Sequence, residues 1–284
     1  MEAISITAAK GLELLKAALT ATSPCDPAAA ERRKAELINS TPGRLNERDG
    51  YDCPLCMNRG YFQEVDDSAG NLYTPVRPCR CMKVRESLAR IAQSGFKRAL
   101  ETRTFESFIA EEDWQKQMLD TAKGYLEGWN GKSWLLLCGQ PGCGKTHLCM
   151  AVCGELLKRG VAVEFALWRD EMTRLKRLLT ADGDAFDRQL NRLRECEALY
   201  LDDLFKPVKG DEPSSSDLKL TFDIINHRYE NELPTILSGE LSLNRMLELD
   251  EAAASRIAEM ARAHRLFIGA APGRNRRLEG DESC

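Results

Sequence analysis

With 284 residues, of which 43% are hydrophobic and 30% charged, the chain can bury one α/β core and carry a smaller module beside it. A formal net charge of −4 excludes a global field that would draw nucleic acid, so any such contact must come from local basic patches. No apolar run approaches transmembrane length, and the N-terminal stretch lacks a basic region followed by a long apolar core, which predicts a cytoplasmic protein without a membrane partner.

Residues 1 to about 45 read as helical and mostly polar, interrupted at Pro24, Pro27 and Pro42. Two cysteine pairs follow, Cys53-Pro54-Leu55-Cys56 and Cys79-Arg80-Cys81. In a cytoplasmic chain they are poor candidates for disulfides. Four thiolates close a tetrahedral Zn²⁺ shell, and the C-x₂-C half lets two sulfurs reach one ion; free buried cysteines are the alternative. The residues between the pairs predict a hairpin turning at Ala69-Gly70-Asn71, so a zinc ribbon would result, with the metal supplying its folding energy. From Lys83 to Arg103 a helix-like segment is basic: Lys83, Arg85, Arg90, Lys97, Arg98 and Arg103 outnumber Glu86 and Glu101.

From Thr104 onward helices alternate with short apolar strands. Trp134 to Cys138 is the first clear strand, and Gly139-Gln140-Pro141-Gly142-Cys143-Gly144-Lys145-Thr146 follows it directly. That stretch fits G-x-x-x-x-G-K-[ST] at every fixed position. Its glycines let successive N–H groups turn toward one phosphate, Lys145 reaches the β- and γ-phosphates, and the Thr146 hydroxyl ligates Mg²⁺. Together with His147 these residues form the expected ATP-binding set, at the start of a helix whose dipole favours an anion. That helix runs through Leu157, and Cys138, Cys143, Cys149 and Cys153 serve around it as small hydrophobes. Next come a strand at 161–168, helices at about 169–180 and 184–195, and a strand at 198–201 that ends at Asp202-Asp203. Asp202 is assigned to Mg²⁺ and Asp203 to the attacking water; a turn-capping acid pair is the bland alternative. A helix at 218–229, a strand at 234–238, a helix near 252–263 and a strand at 266–268 complete the pattern. Such alternation implies a parallel sheet covered on both faces.

The succession WLLLCGQPGCGKTHL, LYLDDLFK and PTILSGELSLNRMLELDEAAASRIAEM resembles the AAA+ ATPases that load replicative helicases, the DnaC/DnaI type in phage-encoded form. The transposition helper ATPase IstB shares this core. The resemblance runs from about Thr104 to Leu278 and reaches upstream to the cysteine segment, whose C-P-x-C and C-x-C-M elements it includes. It implies an α/β AAA+ P-loop core with a parallel five-stranded sheet, a C-terminal helical lid reduced or absent, and a small N-terminal zinc-ribbon-like α+β module. The expected domains are a helical segment at 1–48, the zinc module with its basic connecting helix at 49–103, and the ATPase domain at 104–284.

The resemblance also implies roles for single residues. Glu240 takes the sensor 1 position, where Asn is usual in the bacterial loaders. A carboxylate there is repelled by a γ-phosphate unless Mg²⁺, water or a cation intervenes, so Glu240 is expected to position water. Arg256 resembles the arginine finger that one subunit supplies to its neighbour's site; a solvated helix-face arginine is the competing reading. Gly273-Arg274-Asn275-Arg276-Arg277-Leu278 resembles the family's N-Y-R-L ending, which makes Arg277 the sensor 2 candidate; a basic tail for nucleic acid is the alternative. Phe105 is placed near the adenine, or else is a plain core aromatic. Arg174, Lys176 and Arg177, on an extra helix that faces DNA in this clade, are the candidate phosphate contacts, or else part of a solvated charged face. The function implied is ATP-dependent loading of a replicative helicase onto single-stranded DNA at replication initiation. ATP would be hydrolysed slowly, at the subunit interfaces of a homo-oligomer formed in the ATP state. An IstB-like transposition helper and an ATP-bound adaptor with negligible hydrolysis are the alternatives.

Overall fold

In the computed structural model, which describes residues 27–66, 74–93, 96–206 and 212–277, the chain divides into two units between Met82 and Lys83. The first unit begins with helix α1 (Pro27–Ser40) and the single-turn helix α2 (Leu45–Asp49). Strands β1 (Tyr61–Gln63) and β2 (Val76–Pro78) pair antiparallel, Tyr61 opposite Pro78. That pairing suits a hairpin, whose expected tip at Ala69–Asn71 lies outside the described residues, as do residues 1–26 of the N-terminal segment. Asn39 ties α1 to β1: its amide donates to the Gln63 carbonyl at 2.7 Å and its oxygen accepts the Gln63 N–H at 3.0 Å. Apolar burial in this unit is scant. Its core is Cys53, Cys56, Cys79 and Cys81, with Tyr51 and Phe62 packed against them.

Helix α3 (Cys81–Gln93) starts on the last of those cysteines and runs across the division. The basic segment expected as one helix is two, since α4 (Lys97–Thr102) follows separately. Helix α5 (Asp113–Glu127) then leads into β3 (Leu135–Gly139), and α6 (Lys145–Lys158) follows the glycine-rich turn. Beyond it come β4 (Val163–Leu167), α7 (Trp168–Ala181), α8 (Gly183–Glu195), β5 (Ala198–Leu204), α9 (Ser215–Glu230) and β6 (Thr235–Gly239). Helices α10 (Leu243–Leu249) and α11 (Glu251–Met260) precede β7 (Arg265–Ile268).

The five strands β3–β7 form one sheet in the order β4-β5-β6-β3-β7, every pair parallel. Every residue of β3 and β6 is buried, as expected of central strands sandwiched between helical layers. The main core continues from Trp134, Leu136 and Leu237 into Trp168, Met172 and Leu175 of α7 and Ile224 and Ile225 of α9. No helix follows β7 among the described residues. Nor is any helix among them long and apolar enough to cross a membrane.

Two features depart from the sequence reading. Helix α10, set by the Ser242 N-cap that accepts the Arg245 N–H at 3.3 Å, was not foreseen in a stretch crowded with polar residues. Strand β5 does not stop at Leu201. Its pairing with β6 resumes at Leu204 opposite Gly239 after an irregularity, so Asp202 and Asp203 lie within the strand.

Candidate nucleotide-binding site

The glycine-rich turn connects the end of β3 to the start of α6. Gly142 (φ 79°) and Gly144 (φ 99°) both adopt the left-handed conformation that side chains disfavour. Packing excludes side chains there as well. A Cβ on Gly142 would lie 1.9 Å from the Asn275 Oδ1, and one on Gly144 would lie 2.7 Å from the Phe108 ring. Lys145, buried at the first turn of α6, donates to the carbonyls of Gly139 (2.8 Å) and Gln140 (3.0 Å). Cys143 is buried beside Gly139, and burial pushes the thiol of Cys138 up to about 12, so this thiol stays protonated. Burial raises Cys149 and Cys153 as well, which leaves these cysteines to serve as packing.

Asp202 is the fixed anion of the cleft. Its Oδ1 accepts from the Thr146 hydroxyl (3.1 Å), the Tyr200 hydroxyl (2.8 Å) and the Ser238 hydroxyl. Tyr200 is fully buried; burial raises its phenol far above the ordinary range, with the Asp202 charge adding to the effect, so it is a permanent donor. Asp203, by contrast, is half-exposed, and its Oδ2 receives the Lys206 ammonium at 3.1 Å. The same ammonium lies 2.7 Å from the Glu240 Oε1. Sequence reasoning passed over Lys206, Tyr200 and Ser238. For Tyr200 a signal existed, since it stands two residues before Asp202 on the same strand and so shares its face.

Around these groups is a cleft of about 350 Å³ lined by Pro141, Gly142, Gly144, Lys145, Thr146, His147, Asp202, Asp203, Lys206, Glu240 and Arg277, together with Phe96 and Arg103. Most of the expected residues therefore meet. His147 anchors the segment that enters this unit: its Nε2–H donates to the Thr104 carbonyl at 2.8 Å, and its ring packs edge-on against Phe108 with centroids 5.3 Å apart. Phe105 does not line the cleft; Phe96, tilted against Phe165 of β4 with ring centroids 4.0 Å apart, does. Backbone contacts lay the C-terminal segment over the turn, the Arg276 N–H donating to the Gly142 carbonyl at 3.3 Å, so that Arg277 reaches the cleft. Leu278 lies outside the described residues.

Arg256 is not part of its own chain's cleft. It projects from α11, donates to the Ala252 carbonyl at 2.9 Å, and lies against the rings of Phe222 (5.3 Å) and Tyr229 (5.4 Å). On α7, Arg174 and Arg177 are exposed. Lys176 is engaged instead by Asp217 at 2.7 Å. Burial would raise the Asp217 carboxyl, but its bonds from Lys176 and Ser214 outweigh that and hold it below the ordinary range. The Lys176–Asp217 ion pair joins α7 to α9.

In the first unit the sulfurs of Cys53, Cys56, Cys79 and Cys81 all lie within 4.8 Å of one another. The Cys53–Cys79 and Cys56–Cys81 separations are 3.9 and 3.6 Å. Four thiolates at the usual Zn–S distance would stand about 3.8 Å apart. The turn after the first pair is built for this, with Met57 and Asn58 left-handed, the Asn58 Oδ1 accepting the Cys53 N–H at 2.8 Å, and the Gly60 N–H donating to the Cys56 sulfur at 3.2 Å. Burial alone would raise the Cys56 thiol; the Gly60 N–H and the neighbouring thiols outweigh it and bring it down to about 7.

Residues 76–259 match the family model described as IstB-like ATP binding protein. The chain is 32% identical over 260 residues to protein XkdC of the phage-like element PBSX of Bacillus subtilis strain 168, covering 88% of this chain and 94% of that one. To the replicative helicase loader DnaC of Escherichia coli K12 it is 28% identical over 188 residues, or 66% of this chain and 72% of that one. Among solved structures, DnaI superposes with a TM-score of 0.50 at 22% identity over 62% of this chain and 94% of that one. A DNA replication initiation factor gives 0.50 at 20% identity, over 63% and 52%. These last two are likenesses of fold.

Proposed function

Since the chain belongs to the IstB-like ATP binding family, whose AAA+ core it shares with DnaC-type proteins, we propose that it is an ATP-dependent loader of a replicative helicase onto single-stranded DNA. The observation that carries the nucleotide part is the meeting of Lys145, Thr146 and Asp202 in one cleft at the carboxyl ends of the strands. The helicase and the DNA come from the similarity to the DnaC loader.

On this reading the N–H groups of residues 139–146 and the Lys145 ammonium receive the phosphates, and Arg277 touches the nucleotide from its own subunit. The donor set fits Mg²⁺, a hard cation that takes oxygen ligands: Thr146 offers a hydroxyl and Asp202 a carboxylate. When bound, the ion neutralises charge on the β- and γ-phosphates. No protein donor engages the Asp202 Oδ2 among the described residues, so that oxygen is the one left for the ion or its water shell. Asp203 orients the attacking water, with Glu240 nearby. Arg256, which does not line its own cleft, completes the site of a neighbouring subunit in a homo-oligomer formed in the ATP state. The four cysteines hold a structural Zn²⁺, and the module built on them, with the basic segment that follows it in the chain, contacts the helicase. The exposed Arg174 and Arg177 supply sequence-neutral phosphate contacts to DNA.

The test is ATP turnover by the purified protein with and without single-stranded DNA, alongside capture of a hexameric helicase by wild-type and Lys145→Ala protein. Stimulation by single-stranded DNA and helicase capture are expected. Turnover that persists at the wild-type level in Lys145→Ala would sink the site assignment. Preference for duplex DNA without a helicase would move the chain to the transposition-helper reading. The ion pair on Asp203 favours a second reading, an ATP-bound adaptor, which turnover remaining negligible with DNA present would support.

A further inference from the structure

Lys206 is a cation that the phosphate-loop motif does not announce, and unusual backbone puts it in the cleft. Asp203 (φ 56°) and Phe205 (φ 57°) are both left-handed without being glycine, and the pairing of β5 with β6 shifts register between Leu201 and Leu204. Such conformations are sparsely populated and persist only where the surroundings enforce them. Here Phe205 is turned fully inward, edge-on to Trp168 with centroids 5.8 Å apart. Lys206 folds back, its N–H on the Asp203 carbonyl at 3.0 Å. The side chain ends between two carboxylates, at 2.7 Å from Glu240 and 3.1 Å from Asp203. Burial would lower this amine; the two carboxylates outweigh it and hold it above the ordinary lysine range, a fixed positive charge at any working pH.

Two further observations bear on its purpose. An ammonium has three N–H donors, and Glu240 and Asp203 take two. Around the cleft, the cations Arg103, Lys145, Lys206 and Arg277 outnumber the acids Asp202, Asp203 and Glu240 by one, and Lys206 is the cation that stands directly between two of those acids.

We propose that Lys206 is a phosphate-contacting residue, its third N–H given to the terminal phosphate of a nucleoside triphosphate while Asp203 and Glu240 hold the ammonium in place. Glu240 is then the anchor of a cation and not itself a phosphate contact, which removes the repulsion that a carboxylate at this position would otherwise create. A diphosphate has no oxygen at that point, so Lys206 makes the cleft discriminate triphosphate from diphosphate. The proposal rests on the nucleotide reading of the cleft.

The experiment is calorimetric titration of wild type, Lys206→Met and Lys206→Arg with ADP and with a non-hydrolysable ATP analogue, both with Mg²⁺. A charge-assisted bond to phosphate predicts a loss of roughly tenfold to hundredfold in analogue affinity for Lys206→Met, with ADP affinity unchanged. Lys206→Arg, which keeps the charge, should recover part of the preference. The unchanged ADP affinity also certifies that the variant is folded. Equal losses for both nucleotides, or no loss for either, overturn the proposal while leaving the nucleotide site standing. Faster turnover at unchanged analogue affinity also overturns it, because Lys206 would then act by masking Asp203. Wild-type protein that binds neither nucleotide overturns both this proposal and the reading beneath it.

Discussion

Stripping metal from the cysteine cluster should unfold the unit that ends at Met82 and leave the sheet-containing unit able to bind nucleotide. Among its described residues, the apolar side chains that the first unit buries are Ala35 and the four cysteines themselves. Full burial of a Val- or Leu-sized side chain contributes about 1.5–3 kcal/mol, and these five are smaller. A structural Zn²⁺ on cysteines contributes about 10–16 kcal/mol at neutral pH, as much as the entire stability of an ordinary domain, about 5–15 kcal/mol. Removing the ion therefore takes away the largest single term, and it leaves four sulfurs within 4.8 Å with little else to hold them. The assay has three parts: metal content of the purified protein, limited proteolysis mapped by mass spectrometry before and after chelation, and ADP titration of the chelated sample. Expected are one zinc per chain, new cleavages confined to the region of residues 27–82, and unchanged ADP affinity. Cys56→Ser should reproduce the cleavage pattern without a chelator. Protein that purifies without metal yet resists protease through 27–82 would refute the reasoning, since the thiols would then be packing as ordinary small hydrophobes.

Arg256→Ala should lower turnover by about 10³-fold while ATP affinity holds, and mixing it with Lys145→Ala should restore some activity; no recovery on mixing would rule out action on a neighbour's site. Arg228 is fully buried and gives hydrogen bonds to the carbonyls of Leu193, Arg194 and Cys196 at the end of α8, to Pro234 O and to Thr235. Arg228→Met leaves those acceptors dry and should cost about 4 kcal/mol by denaturant unfolding; a loss below about 1 kcal/mol would show that water replaces the guanidinium. Burial lowers the pKa of His147 in the folded chain. A folded value below the unfolded one means fewer protons bound on folding, so its contribution is present above the unfolded value near 6.5 and is lost as pH falls through the folded value. His264 shifts in the same direction, so the comparison that isolates His147 is wild type against His147→Gln. Wild type should lose melting temperature faster than the variant on acidification below neutrality, and parallel curves would refute this.

Which parts of this were legible in advance follows from how local each signal is. The phosphate loop is a contiguous motif whose glycines answer two demands at one place, left-handed φ and close approach by Asn275 and Phe108. The five strands were visible because β3 to β7 are short apolar runs spaced by helices. The cysteines were visible because C-x₂-C and C-x-C spacing is itself a geometry. Less legible were partners that only the sheet brings together. Ser238 reaches Asp202 because β6 lies beside β5, and nothing in β6 alone points to an acid on its neighbour. The ion pair of Lys176 with Asp217 depends on how α7 packs against α9. Lys206 was hidden more deeply, since its direction depends on two left-handed residues with no glycine to advertise them.

The two acids of Asp202-Asp203 sit one residue apart yet obey different physics. Asp202 is buried and accepts three hydroxyl donors on one oxygen, so its position is set by the sheet and changes only if strands move. Asp203 is half-exposed, and its carboxylate is held through Lys206, which it shares with Glu240, and not by buried hydroxyls. On the loader reading this divides the labour of the cleft. The rigid acid holds the metal end, so nucleotide binding does not depend on what happens outside. The adaptable triad stands at the hydrolysis end, where a small shift of Lys206 or Glu240 repositions Asp203 without disturbing the phosphate loop. A loader must keep its nucleotide until a partner arrives and only then release it, which calls for tight binding and conditional turnover in one site. An acid fixed by the sheet beside an acid tethered by a lysine provides both.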